Sequence, residues 1–235
     1  MNTFIILLAA GKSSRLNLNV PKPYIKVNNK TLIEHSLEIF NKLKTKKKII
    51  IVYDKKHKKL LNQIKLNQKI IRILGGKTRQ SSTFNALKKI KKKNCDKVLI
   101  HDVARPNITL KLVKKIINNL KKNSAVIPVL KITDATKILL KNKTLYNLDK
   151  KKLISTQTPQ GFKFKKIYEK HKKNINESFD DDSALFASYG EKVLAVSGDK
   201  TNLKITDNED LNIFKNLKRG KIYYGIGFDI HKLLK

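Results

Sequence analysis

Residues 3–24 read TFIILLAAGKSSRLNLNVPKPY, and the architecture can be worked out from them. Phe4 to Ala10 form an uninterrupted apolar run that stops at Gly11. A strand covered on both faces, as in a parallel sheet, needs such a run. The polar loop that follows carries Arg15 and Lys22. In open α/β folds the loop after the first strand is where nucleotides bind, and two cations there suit a polyphosphate. Gly11 lets the backbone turn tightly and approach a phosphate. The loop is not a P-loop, because no Gly-Lys-Ser/Thr closes it, and it lacks the later glycines of a dinucleotide fingerprint. Pro21 and Pro23 restrict the backbone around Lys22, which favours a positioned cation over a merely exposed one.

Outward from this stretch, strand-like and helix-like segments alternate. TLIEHSLEIFNKL places Leu32, Ile33, Leu37, Phe40 and Leu43 on one helical face. IIIVY, an amphipathic stretch from Lys55 to Leu66, and IIRIL before Gly75-Gly76 come next. A helix is expected from near Thr78 through Ile90, then the strand KVLIHDVA, a helix from about Thr109 to Leu120, and the strand AVIPVL. This rhythm predicts a doubly wound, mostly parallel sheet. It breaks between Lys131 and Gln160, where TKILL and TLYNL flank Asn142-Lys143 and suggest a hairpin excursion. A helix from Phe164 to His171, an acidic cluster Asp180-Asp181-Asp182, a helix through Leu185, the strand KVLAVSG and a helix from Glu209 to Leu217 complete the reading. There is no internal repeat and no long linker.

The chain has 235 residues, enough for one large α/β domain or two small ones. No apolar run reaches the length of a membrane span, and the N-terminus lacks a signal-peptide pattern. The single cysteine, Cys95, permits no internal disulfide. A cytoplasmic protein with no membrane partner is the expectation. The formal charge of +35 admits nucleic-acid binding. However, the lysines are spread over nearly every polar face, arginine is scarce, and no basic segment is interleaved with aromatic residues for stacking. Compositional bias explains the charge better, so no nucleic-acid partner is expected. The positive field still attracts anionic substrates.

Other segments could carry chemistry. HDVARP (101–106) ends a predicted strand, where such sheets line their ligand crevice. Asp102 there could bind Mg²⁺, which prefers one or two carboxylates plus substrate phosphates. It could equally cap a loop or pair with Arg105, and His101 is read as a packed histidine. GGKTRQSSTFNAL (75–87) repeats the strand–Gly–helix theme, so Ser81 and Ser82 could cap the helix or contact a base or ribose. Lys204 in TNLKIT could face the crevice, although it is one of 53 Lys and Arg residues.

These pieces in this order resemble the 2-C-methyl-D-erythritol 4-phosphate cytidylyltransferases of the non-mevalonate isoprenoid pathway. The matches are AAGKSSR…PKPY, GG-x-x-R-x-S-S, HDVARP, D-x-x-K at Asp134 to Lys137, QTPQGF, DDDSAL and GDKTNLKIT, spanning nearly residues 3–212. The resemblance implies a Rossmann-like nucleotidyltransferase fold with a β-arm at about 131–155, and a homodimer whose arm crosses to the partner. It implies transfer of CMP from CTP to methylerythritol phosphate with loss of pyrophosphate. Arg15 and Lys22 match the pair that stabilises the transition state, and Lys150 and Lys204 the cations that position the acceptor. Ala9, Ala10, Gly11, Gly75 and Ser82 match CTP-binding positions. Asp102 matches the Mg²⁺-binding aspartate, and Arg105, Asp134 and Thr136 acceptor-site positions. Several positions depart from the family pattern: Ser13 stands for a second Gly, PKPY for PKQ, Ala135 for Thr, Lys150 for Arg and Phe179 for Thr. Lys150 keeps the charge but loses the bidentate fork.

Residues 1–220 thus read as a cytidylyltransferase domain. The tail, YYGIGFDIHKLLK, resembles the opening of the methylerythritol cyclodiphosphate synthases, some of which are fused behind the cytidylyltransferase. Asp229 and His231 match its divalent-metal ligands. The chain ends four residues after His231, so residues 221–235 read as a truncated module with an incomplete site. Three rival readings remain: a cytidylyltransferase for another polyol phosphate such as ribitol 5-phosphate, a basic nucleic-acid-binding protein, and a folded but poorly active copy.

Overall fold

Strand β1 (Thr3–Ala9) is the centre of the molecule, and its residues from Thr3 to Leu7 are all buried. The computed structural model describes residues 2–11, 20–67, 69–140, 145–174 and 177–219. After β1 the described chain resumes in a 3-10 turn, Lys22–Tyr24, and a short hairpin of β2 (Lys26–Val27) and β3 (Lys30–Thr31). Helix α1 (Leu32–Asn41) starts with a capping box between Thr31 and Glu34, a device worth about 1 kcal/mol. There follow β4 (Lys47–Tyr53), α2 (Lys58–Gln63), β5 (Ile71–Leu74), α3 (Arg79–Ile90), β6 (Lys97–Asp102), α4 (Leu110–Asn119) and β7 (Ala125–Lys131). The amphipathic stretch after β4 is a 3-10 turn, Lys55–His57, that leads directly into the short α2.

The main sheet runs β5, β4, β1, β6 in parallel register. Side chains alternate across it as the strand period demands. Ile5, Leu7 and Ala9 pack with α1, α4 and α7 (Asn208–Lys218). Phe4 and Ile6 pack on the other face with α3 and the later helix α5 (Phe164–Lys173). Two cores on opposite faces make the sheet doubly wound, as its alternation predicts.

The excursion after β7 is a separate two-stranded ribbon, β8 (Lys137–Leu139) antiparallel to β9 (Leu145–Asn147). The chain rejoins the main sheet through β10 (Ile154–Thr156), which pairs antiparallel with β7. Next comes β11 (Gln160–Lys163), inserted antiparallel between β6 and β7. Here α4 comes close. A Cβ on Gly161 would lie 2.7 Å from both Ile116 Cγ2 and Leu120 Cδ1, so this position admits no side chain without displacing those groups. Helix α6 (Asp182–Ala187) is capped by Asp181, and β12 (Leu194–Ser197) pairs in parallel with β7.

Candidate active site

The carboxyl ends of β1 and β6, the N-terminus of α3 and the segment around Lys204 enclose a cavity of about 690 Å³. The described residues on its walls include Gly11, Lys22, Arg79, Ser82, Asp102 and Lys204. A second cavity, of about 490 Å³, lies between Tyr24 and Ile64, with Lys26 and Glu34 as the charged groups on its described walls. A polyphosphate suits the first, where cations meet a helix N-terminus.

Each segment is held by local chemistry. Lys22 sits in the Pro21–Lys22–Pro23 turn, closed by Tyr24 N–H donating to Pro21 O at 2.9 Å. Its ammonium reaches across 183 positions of sequence and donates to Ile205 O at 2.8 Å. Ile205 N–H in turn donates to Ala104 O at 2.8 Å, so the first loop, the HDVARP segment and TNLKIT are stitched together. Behind them, Gln157 Nε2 donates to Asp199 O at 2.9 Å and Asn202 Nδ2 to Thr158 O at 2.9 Å, which ties QTPQ to the turn carrying Lys204.

At α3, Thr78 is the N-cap and Ser81 completes the box, each side chain taking the other's backbone N–H. Ser82 is therefore released from capping. Its Oγ accepts from Gly76 N–H at 2.9 Å, which leaves the hydroxyl proton available at the cleft wall.

Asp102 is the electrostatic centre. Its Oδ1 accepts from Arg79 Nε at 3.0 Å, and its Oδ2 lies 3.4 Å from Lys204 Nζ. Burial works against the charged carboxylate, but Arg79 and then Lys204 outweigh it and hold Asp102 well below the usual carboxylate range. Arg79 also donates through Nη1 to Asp182 Oδ2 at 2.7 Å, and His171 Nε2 lies 3.0 Å from Asp182 Oδ1. Burial opposes the guanidinium charge, and Asp182 and Asp102 more than offset it. His101, next to Asp102, is packed as expected: it is buried, edge-on to Phe40, with Nδ1 3.1 Å from Thr158 Oγ1.

Several expected site residues lie elsewhere. The Ala9 side chain is buried in the core at the end of β1, because the strand period turns those of Leu8 and Ala10 to the cleft, so only its backbone could serve there, as the resemblance implies. Gly76, not Gly75, faces the cavity; Gly75 is needed behind it, where a Cβ would lie 2.5 Å from Ala10 Cβ. Asp102 does not pair with the Arg105 side chain. The Arg105 guanidinium donates instead to Asn202 O at 2.9 Å and Thr156 O at 3.1 Å. Asp134 and Lys150 are exposed and Thr136 is half-buried on the excursion, all outside this chain's cavity, with Lys150 Nζ donating to Thr133 O at 2.7 Å. Arg15, Asp229 and His231 lie outside the described residues, as does Ser13. Among the described residues no group of three or more His, Cys, Asp or Glu could hold a metal by itself. Arg79 is the residue that sequence reasoning left without a role. Its only signal was its place in GG-x-x-R-x-S-S, at the first turn of a helix that opens on the cleft.

A mostly parallel, doubly wound sheet with a cationic cleft at the carboxyl ends of its strands, and a carboxylate at the centre of that cleft, defines a Rossmann-like nucleotidyltransferase. The comparisons with known proteins narrow this class. The family model described as IspD, 2-C-methyl-D-erythritol 4-phosphate cytidylyltransferase, matches residues 3–217. The bifunctional enzyme IspD/IspF of Pelagibacter ubique is 45% identical over 238 residues, covering 100% of this chain and 61% of the relative. The 2-C-methyl-D-erythritol 4-phosphate cytidylyltransferase of Clostridioides difficile is 36% identical, over 91% of this chain and 92% of the relative. The crystal structure of 4-diphosphocytidyl-2C-methyl-D-erythritol synthase from Anaerococcus prevotii superposes with a TM-score of 0.80 at 33% identity, covering 92% of this chain and 96% of that one. The bifunctional IspDF of Campylobacter jejuni gives 0.78 at 30% identity, over 91% of this chain and 54% of that one. The chain belongs to the 2-C-methyl-D-erythritol 4-phosphate cytidylyltransferase family. It spans less than two thirds of the length of its bifunctional relatives.

Proposed function

We propose that this cleft binds CTP and passes its CMP to the 4-phosphate of 2-C-methyl-D-erythritol. The enzyme is a nucleotidyltransferase, and the products are 4-diphosphocytidyl-2-C-methyl-D-erythritol and pyrophosphate. An acceptor phosphate oxygen bonds to the α-phosphorus of CTP, and the bond from that phosphorus to the bridging oxygen breaks in line. Such a transfer asks the protein mainly for alignment and charge stabilisation. The observation that carries the reading is the convergence of Lys22, Lys204 and Asp102 from three distant segments on one cavity.

The Gly11 turn and the α3 N-terminus receive the triphosphate, and the Ser82 hydroxyl contacts the cytidine. Lys22, tethered to Ile205 O, stabilises charge as it develops, with Arg15 as its partner from the loop outside the described residues. Lys204 and Arg105 lie on the acceptor side. A magnesium ion fits Asp102. Its Oδ2 faces the cleft and meets Lys204 only at 3.4 Å, and Mg²⁺ takes few carboxylates when phosphates and water supply the rest. A bound ion would neutralise phosphate charge there.

The working unit is a homodimer. Leu139 is 69% exposed and its cross-strand partner Leu145 54%, an apolar face that a two-stranded ribbon cannot bury alone and a second copy would cover. Lys150, Asp134 and Thr136 then serve the neighbouring cleft. Residues 1–220 form the cytidylyltransferase domain. Residues 221–235 open a cyclodiphosphate synthase-like module, in which Asp229 and His231 are metal ligands. The match of the whole chain to a bifunctional relative supports this division. The reaction takes place in the cytoplasm. A coupled pyrophosphate-release assay with CTP tests the substrate. Release with methylerythritol 4-phosphate and not with ribitol 5-phosphate is expected; release with ribitol 5-phosphate alone contradicts the reading.

A further inference from the structure

The buried ion pairs do not stop at the cleft wall. Behind Asp102, Arg79 bridges two carboxylates, with Nε on Asp102 at 3.0 Å and Nη1 on Asp182 at 2.7 Å. Asp182, whose side chain is 1% exposed, is gripped on its other oxygen by the buried His171 at 3.0 Å. The His171 ring stacks on Phe84 at 6.0 Å and 10°, so α3 and α5 fix its orientation. Asp182 has no capping task to explain its burial, because Asp181 caps α6. A buried ion network is weak evidence for stability, since apolar residues of similar volume often serve as well. This one ends on the carboxylate in the wall of the cleft.

We propose that His171, Asp182 and Arg79 are positioning residues for Asp102. Arg79 occupies Oδ1 and fixes the rotamer and charge of the carboxylate, so that Oδ2 is presented to the cleft. Asp182 and His171 fix Arg79 in turn. The guanidinium geometry matters, because Nε and Nη1 of one rigid plane hold the two carboxylates in fixed directions, whereas a lysine offers a single rotatable ammonium that sets no such orientation. The inference rests on the assignment of Asp102 as the carboxylate that meets magnesium.

The test is calorimetric binding of CTP to the purified protein, with Mg²⁺ and with EDTA, so the readout is the metal dependence of affinity rather than turnover. Wild type should bind CTP more tightly with Mg²⁺, and Asp102→Asn should lose that gain. Arg79→Lys should lose about tenfold of the Mg²⁺-dependent gain, the usual cost of removing a residue that orients a metal-facing carboxylate. The ratio of affinities with Mg²⁺ and in EDTA is therefore the quantity that should fall. A folded Arg79→Lys that keeps the wild-type ratio overturns the inference, and so does an equal loss under both conditions. Should Arg79→Lys not fold, His171→Phe decides. It keeps the stacking on Phe84, lies outside the cleft, and removes only the bond to Asp182. A reduced Mg²⁺ ratio supports the relay, and an unchanged ratio overturns it. A wild type with no Mg²⁺-dependent gain overturns both this inference and the assignment of Asp102, and that result separates the two failures.

Discussion

Acidification from pH 7 to pH 5 should cost the fold about 2 kcal/mol through His101 alone. The imidazole is fully buried behind Asp102, and burial pushes its pKa down from 6.5 to about 4. The folded state therefore keeps His101 neutral while the unfolded chain takes up a proton below about pH 6.5. Stability is full above that value and falls as pH drops through it. The loss saturates below about pH 4 at roughly 3 kcal/mol, because each pH unit crossed between the two pKa values costs about 1.36 kcal/mol. Asp102 and Asp182 have depressed pKa values, so they withdraw their stabilisation only at lower pH and do not confuse this window. His35 is also shifted down by burial and adds loss of the same sign, so the His101 share needs a difference measurement. Urea unfolding of wild type and His101→Gln at pH 7 and pH 5 supplies it. The variant should lose about 2 kcal/mol less than wild type between the two pH values. An identical loss in both proteins refutes the argument.

Three further outcomes are expected. Lys22→Ala should lower kcat by about a hundredfold while CTP affinity measured by calorimetry falls by much less, because the ammonium acts on charge that develops in the transition state. Gly161→Ala should destabilise the fold by about 1–3 kcal/mol in urea titrations, since a Cβ there meets Ile116 and Leu120 beside α4. Lys150→Ala should raise KM for the acceptor and leave CTP binding unchanged in steady-state and calorimetric measurements. If Lys150 belongs to the neighbour's site, mixing it with Lys22→Ala protein should restore part of the activity.

Much of this was legible in the chain because it is local. The apolar runs of β1, β4 and β6 need burial on both faces, and helix periodicity marks α1, α3 and α4, so alternation alone gives the doubly wound sheet. The hairpin excursion was legible from its broken rhythm. What was not legible depends on distant pairing. Strand β11 is only Gln160–Lys163, contains a glycine, and is antiparallel among parallel neighbours, so no periodicity marks it. Ser82 and Ser81 look alike in sequence; the capping geometry at Thr78 separates them. Arg79 is one cation among 53, and its role becomes visible only when Asp102 and Asp182, 23 and 103 positions away, close on it. Arg105 shows the converse. Its place beside Asp102 suggests an ion pair, yet its guanidinium is taken by two backbone carbonyls.

A crystal structure with CTP bound would show where the nucleotide sits. The triphosphate should lie against Gly11 and the start of α3, with Lys22 Nζ within hydrogen-bonding distance of its oxygens, Lys204 Nζ beside the α-phosphate on the acceptor side, and the cytidine beside Ser82. Nucleotide density in the cavity between Tyr24 and Ile64, with those two ammonium groups turned away from it, would contradict the account.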